Sequence, residues 1–447
     1  AGTGRRSGHR YHGGGPGIGA VADPYAAQSG RRVTPIVPDE RGAQVFIDLA
    51  GTAVPVGRLR AVSTRGGERA SFAYDASWLA RPDRFALEPA LSLDAGTFYP
   101  PGDRALFGAF GDSAPDRWVR TLLQRAERRR AAREGRGPRS LRELDYLLGV
   151  HDETRQGALR FTAPGGGPWL GSGRSPVPPL VELPRLLAAS DRVLDDGETD
   201  EDLALLLAPG SSLGGARPKA SVRDGDAGLA IAKFPRTNDD WPVVEWEMVA
   251  LELARQAGIQ VAAARLEVVA GRGVLVVRRF DRVGTRRLPF LSAMTLLGAR
   301  DNDPSPHSYP EIAEALRRHG AAPSRDVREL WRRMVFNVLI ANTDDHLRNH
   351  GVLYVGTDGW VLAPAYDLNP TPADVGARVH STALTLDGDT TGDVDLAFKD
   401  LGWFALTLAE ARGIAAEVTA AVAGWREVAR RVGLGKGDCD RMASGFG

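Results

Sequence analysis

The stretch NTDDHLRNHG, residues 342–351, packs two adjacent aspartates, two asparagines, two histidines and an arginine between apolar runs. Upstream, Val327, Leu330, Trp331, Met334, Val335, Val338 and Leu339 recur at helical spacing. They form one full apolar stripe, which predicts an amphipathic helix packed on a core. Its C-terminal end delivers the polar segment. Downstream, GVLYV, GTDG and WVLAPAYD read as two short strands joined by a turn. Polar groups inside a buried frame must each find a partner or a ligand. Seven such groups exceed what a helix cap requires.

Three chemistries compete for this segment. His346 and His350 are four residues apart and share a face if the segment is helical, the spacing of a metal hydrolase. No HExxH motif is present, however, and Gly351 opens a strand at once. A purely structural turn would use one or two of the side chains. Phosphoryl transfer would use more of them. It needs a carboxylate to orient the attacking hydroxyl and hard oxygen ligands for Mg²⁺. In protein kinases an Asp, and an Asn five residues later, do this from one loop; Asp344 and Asn349 have that spacing. A second Mg²⁺-binding Asp should follow a short hairpin, and Asp367 does so in APAYDLNP.

The same logic predicts a phosphate-cradling segment and a strand lysine upstream. PGSSLGGARPKA, residues 209–220, is rich in glycine and carries Lys219. It lacks the G-x4-G-K-[ST] pattern of a Walker loop. Lys233 ends the apolar run LAIAKF, and Glu245 or Glu247 on the helix that follows could hold it. VLVVRRF would be the hinge against which adenine hydrogen-bonds through the backbone. Almost every basic residue is arginine; the lysines are Lys219, Lys233, Lys399 and Lys436. A chain with that bias keeps lysine where a compact ammonium is needed rather than a planar fork.

These motifs together resemble the HipA family of serine/threonine kinases, the toxins of HipBA-type toxin–antitoxin pairs. The resemblance spans roughly residues 43–432. The family's catalytic-loop pattern N-x-D-x-H-x-[RK]-N stands here from Asn342 to Asn349, and its [AF]-Y-D as Ala365, Tyr366 and Asp367. SLGGARPK, residues 212–219, resembles its Gly-rich loop, RFDR (279–282) its post-hinge motif, and FGDSAPDRW (110–118) part of its N-terminal subdomain. Arg278 departs from the family, where Glu is frequent at that position.

The resemblance implies an α+β, two-lobed kinase-like fold behind a small antiparallel β subdomain. It implies Asp344 as base or hydroxyl-orienting residue, Asn349 and Asp367 as Mg²⁺ ligands, and His346 as hydrogen-bonding support for the loop. ATP would be bound by Ser212, Leu213, Gly214, Gly215, Ala216, Lys219 and Lys233, with Val277, Arg279 and Phe280 at the hinge. It further implies a protein substrate, an aminoacyl-tRNA synthetase in the family's best-known case, and autophosphorylation of Ser212. A HipB-like DNA-binding antitoxin is the implied partner, with nucleic acid reached only through it. A degenerate kinase acting as co-repressor or scaffold is the alternative; intact Asp344, Asn349, Asp367 and Lys233 argue against it.

Composition sets the frame. The 447 residues carry 57 Lys+Arg against 56 Asp+Glu, so no basic bias suggests wholesale nucleic-acid or membrane-surface binding. The single cysteine, Cys439, excludes a disulfide framework and suits a reducing cytoplasm. No apolar run reaches the roughly 18 residues of a membrane span. Residues 1–42 are Gly-, Arg- and Pro-rich, have no apolar signal-peptide core, and read as a disordered leader. The expected divisions are this leader, a β-rich subdomain at 43–150, a nucleotide-binding region at 151–282 and a helical lobe at 283–447. Asp112 or Ser113 is expected to cap a helix with Pro115 in its first turn. The arginines from Arg125 to Arg136 read as its solvated face. Residues 164–179 read as a linker or exposed loop.

Overall fold

A computed structural model describes residues 41–64, 67–172, 176–207, 215–301, 303–304, 306–356 and 359–446. The expected leader lies outside them, except for Arg41 and Gly42, which open the first strand. Ser212, Leu213 and Gly214 also lie outside.

The first sheet is antiparallel, in the order β3-β2-β1-β4. Its strands are β1 (Arg41–Leu49), β2 (Thr52–Thr64), β3 (Gly67–Tyr74) and β4 (Leu159–Thr162). Alternation places Ala43, Val45 and Ile47 in the core. β4 was not foreseen. It pairs Val45 with Phe161, so the boundary expected at 150 cuts through this unit. The helix that follows is Arg117–Arg133, and its N-cap is Asp116, whose carboxylate accepts from Val119 N at 2.9 Å. The expected cap at Asp112 or Ser113 is therefore wrong: Asp112 ends a separate short helix, Gly108–Asp112, and Pro115 precedes the true cap. The helix arginines are not simply solvated. Arg125 pairs with Glu198, and Arg133 with Asp200, tying the helix to its neighbour Asp200–Leu207.

Glu88 is buried beneath this unit and accepts from Ala109 N at 2.5 Å. Burial pushes its carboxyl up to about 7, against the backbone hydrogen bond. A raised carboxyl stabilises the fold fully below its unfolded value of about 4.3 and loses that contribution as pH rises through about 7. Glu88→Gln should therefore gain stability on wild type between pH 4.5 and 7.5, by on the order of 3 kcal/mol at most. Denaturant midpoints at the two pH values check this; a constant gap would contradict it.

The second sheet is also antiparallel, in the order β5-β6-β8-β7. Its strands are β5 (Lys219–Arg223), β6 (Leu229–Lys233), β7 (Ala264–Val269) and β8 (Arg272–Arg278). Ala220, Val222, Ala230, Ala232, Val274 and Val276 pack with the helices Arg117–Arg133, Leu183–Leu194 and Asp200–Leu207. Leu275 and Val277 belong to the main core with the helix Val243–Gln256. Both faces are covered, so β6 and β8 read as nearly continuous apolar runs.

A two-stranded ribbon, β9 (Arg282–Val283) and β10 (Arg286–Arg287), leads to a small third sheet. There β11 (Phe290–Ser292) pairs with β12 (Gly351–Tyr354), which pairs with β13 (Trp360–Leu362). The remainder is helical. The striped helix runs Pro323–Leu339, with proline in its first turn and its apolar stripe buried. Tyr309–His319 beside it opens with a Ser308/Glu311 capping box. Leu408–Ala423, Trp425–Val432 and a further helix, Lys436–Met442, complete the lobe. Among the described residues no helix is long and apolar enough to cross a membrane.

Candidate active site

Lys233 ends β6 because the strand stops there at Pro235, leaving its ammonium at the sheet's edge. The ammonium donates to Glu247 on the helix Val243–Gln256 and to Asp367 Oδ1 at 2.6 Å. Glu247, not Glu245, is therefore the partner. Burial works against every charge in this triad, and it pushes the Glu247 carboxyl up against the pull of Lys233. The two carboxylates nevertheless hold the Lys233 ammonium well above its ordinary range. Lys233 and Lys219 in turn hold Asp367 down at about 2, so it is ionised at any physiological pH. Asp367 sits at φ 59, a left-handed conformation that non-glycine residues adopt at a cost and that clusters at functional sites.

The triad forms the polar end of a cleft of about 560 Å³, whose apolar walls are Ile231, Leu251, Val277 and Phe280. Lys219 also borders it, opposite Lys233 in the β5–β6 register. Of the expected nucleotide-binding residues, the fold brings Lys219, Lys233, Val277, Arg279 and Phe280 together here. Gly215 stands close by: a Cβ on it would lie 3.1 Å from the Lys219 ammonium. Ala216 is exposed, and its carbonyl accepts from Arg236. Arg279 borders the cleft, and its guanidinium is engaged on protein groups. The guanidinium is buried on Asp281 and on the Thr154 and Arg155 carbonyls, locking the first unit to the second sheet.

The striped helix stops at Leu339, and Ala341 at φ 48 turns the chain into the polar loop. The two adjacent aspartates then part company. Asp344 is exposed, and burial of its surroundings together with the Asp367 and Asp345 charges pushes its carboxyl up, while His346 and Arg117 oppose. Asp345 is 1% exposed and anchors the loop. It accepts from Tyr309 Oη at 2.7 Å and from Ser381 N at 3.1 Å, and its own carbonyl accepts from Thr382 Oγ1 at 2.7 Å. Tyr309 continues the network through Asn337 to Asn342. The support expected of His346 thus falls to Asp345; the His346 Nδ1 is buried without a hydrogen-bond partner among the described residues. His350 is packed edge-on against Tyr309, with Nε2 at 3.3 Å from the Asp345 carbonyl, and burial pushes it down to about 4.

Asn349 spends its amide nitrogen on the Asp344 carbonyl at 2.9 Å. Its Oδ1 is buried with no hydrogen-bond partner among the described residues. An orphaned amide oxygen and an ionised Asp367 are the hard donors that Mg²⁺ takes alongside phosphate oxygens. These residues therefore fit the metal. Among the described residues no cluster of three or more His, Cys, Asp or Glu forms a closed metal cage.

Sequence reasoning missed Asp116, which reaches Lys219 from the first unit: its Oδ2 lies 3.1 Å from Lys219 Nζ, with both side chains buried. Once the cap is placed at Asp116, the segment APDRW is a legible helix start pointed at β5. Tyr309 carried no signal, because its partner lies 36 residues away.

Family models cover both parts of the fold. The HipA N-terminal domain matches residues 49–154 and the HipA-like C-terminal domain matches residues 211–425. In Sinorhizobium fredii (strain NBRC 101917 / NGR234), "Putative kinase Y4mE" is 29% identical over 250 residues, 48% of this chain and 57% of that one. "Putative kinase Y4dM" of the same organism is 29% identical over 221 residues, 42% and 53% of the respective chains. The chain thus spans about half the length of these curated relatives. The HipA-, HipB- and operator-DNA complex of Shewanella oneidensis MR-1 contains a chain that superposes with a TM-score of 0.63 at 15% identity, over 90% of this chain and 94% of that one. That likeness establishes the two-lobed fold. With both family domains present in order on that fold, this chain belongs to the HipA family.

Proposed function

We propose that this protein is an ATP-dependent serine/threonine protein kinase of the HipA type, held in check by a HipB-like antitoxin. The observation that carries the reading is Lys233 bridging Glu247 and Asp367 at the polar end of the cleft. The second sheet, Lys219–Arg278, with the helix Val243–Gln256 would hold the nucleotide, and residues 283–447 would supply the catalytic loop. The apolar walls Ile231, Leu251, Val277 and Phe280 suit a purine, with hinge backbone groups beside it. Mg²⁺, held by Asp367 and Asn349, would neutralise phosphate charge.

The chain's own residues do the rest. Glu247 fixes the Lys233 ammonium where it can meet phosphate oxygens. Asp344, exposed and raised, orients the incoming hydroxyl and takes its proton. Asp345 and Tyr309 hold that loop in one position, so catalysis is mainly positioning and charge stabilisation. The substrate is a protein hydroxyl, and the family's aminoacyl-tRNA synthetase is the first candidate. Ser212 in the Gly-rich segment is a second acceptor: about −1.5 to −2 charges beside the triphosphate would repel ATP. Such a kinase works in the cytoplasm and meets DNA only through its antitoxin.

Incubation with Mg²⁺ and γ-labelled ATP, followed by phosphopeptide mapping, tests this. Label is expected on serine or threonine, Ser212 included. Active enzyme without label at Ser212 would remove the autoinhibitory switch; absence of any transfer to protein would remove the kinase assignment.

A further inference from the structure

Asp116 belongs to the first unit, yet its carboxylate meets Lys219, which borders the cleft. It is the N-cap of the helix Arg117–Arg133, with Oδ1 accepting from Val119 N at 2.9 Å. The other oxygen, Oδ2, is 3.1 Å from the Lys219 ammonium, and the two side chains are 2% and 5% exposed. Lys219 opens β5 directly opposite Lys233 and borders the cleft. Gly215 approaches so closely that a Cβ on it would meet the Lys219 ammonium at 3.1 Å. The ammonium is therefore gripped from behind by Asp116, beside the end of the Gly-rich segment.

We infer that Asp116 is a positioning residue for nucleotide binding, holding the Lys219 ammonium against the phosphates of ATP, so that the first unit completes the nucleotide site. The inference rests on the kinase reading for its ligand. A buried ammonium without its nearest counter-charge is unfavourable and would turn toward other carboxylates in the cleft. With Asp116 in place, Lys219 stays aimed at the polar end, and the charge of Lys233 remains matched to Glu247 and Asp367. A one-piece kinase domain would not need the first unit for this; here the site is incomplete without it.

Asparagine caps a helix about as well as aspartate, so Asp116→Asn removes the charge and keeps the cap. Calorimetric binding of Mg·ATP and of adenosine to the full-length chain reads the result. In Asp116→Asn, ATP should bind about ten- to a hundredfold more weakly, while adenosine binds as in wild type. The loss should vanish when Asp116→Asn is made in a Lys219→Met background, because the two residues act through one contact. Asp116→Asn leaves the buried ammonium without that counter-charge, so its melting temperature should fall, by less in the Lys219→Met background, and binding is read well below the variant's transition. Equal losses for ATP and adenosine, or additive losses in the double variant, would overturn the inference in favour of a merely structural role. Unchanged ATP binding by Asp116→Asn would overturn it as well. Wild type that binds no Mg·ATP at all would instead remove the kinase reading beneath it.

Discussion

Asp344→Asn should lower phosphate transfer by about 10²- to 10⁴-fold while changing the affinity for Mg·ATP by less than about threefold. Asp344 is exposed and among the described residues its side chain has no hydrogen bond that its loss would orphan, whereas the loop around it is anchored elsewhere, through Asp345. The variant therefore keeps its fold and its nucleotide site and loses the group that orients and deprotonates the hydroxyl. The adjacent carboxylate provides the contrast. Asp345→Asn removes the buried acceptor of Tyr309 and Ser381 and should damage stability along with activity. Single-turnover transfer together with thermal melting separates the two. Wild-type transfer by Asp344→Asn would refute its assignment.

Lys233→Arg should cost about ten- to a hundredfold in kcat/KM for ATP, and Lys233→Met more. The compact ammonium sits between Glu247, which is buried, and Asp367, which is half-buried; a guanidinium is longer and presents its donors as a planar fork rather than a point charge. Methionine would leave two carboxylates facing each other without a counter-charge, with a stability loss of roughly 3–5 kcal/mol. Lys436, exposed on the C-terminal helix Lys436–Met442, provides the control: Lys436→Arg should be silent. If Lys233→Arg and Lys436→Arg have equal activity, the retention of lysine in this arginine-rich chain carries no chemical meaning.

What the sequence made legible was whatever rests on local periodicity or fixed spacing. The helix Pro323–Leu339 announced itself by its stripe, and the polar segment from Asp344 to Asn349 was followed, as expected, by a hairpin that leads to Asp367. The HipA resemblance extended that reading to the fold. What stayed hidden depends on contacts between distant segments. β4 and β11 are three or four residues long and acquire meaning only through partners in other parts of the chain. The choice between Glu245 and Glu247 turns on helix phase, which no local pattern fixes to one residue. Arg279 looked like part of the hinge because it follows an apolar strand; that its side chain also joins two parts of the fold, through Asp281 and the Thr154 carbonyl, depends on contacts no local pattern shows. Asp116 was missed because the cap was placed three or four residues too early, at Asp112 or Ser113.

The claim that the Lys233–Glu247–Asp367 cleft is a nucleotide site is tested most directly by calorimetric titration of the full chain with ATP, with and without Mg²⁺, in wild type and in Asp367→Asn. The account predicts one ATP per wild-type chain, tightened by Mg²⁺, and loss of that Mg²⁺ dependence in Asp367→Asn. Absence of ATP binding by wild type, or Mg²⁺-dependent binding that survives Asp367→Asn unchanged, would contradict it.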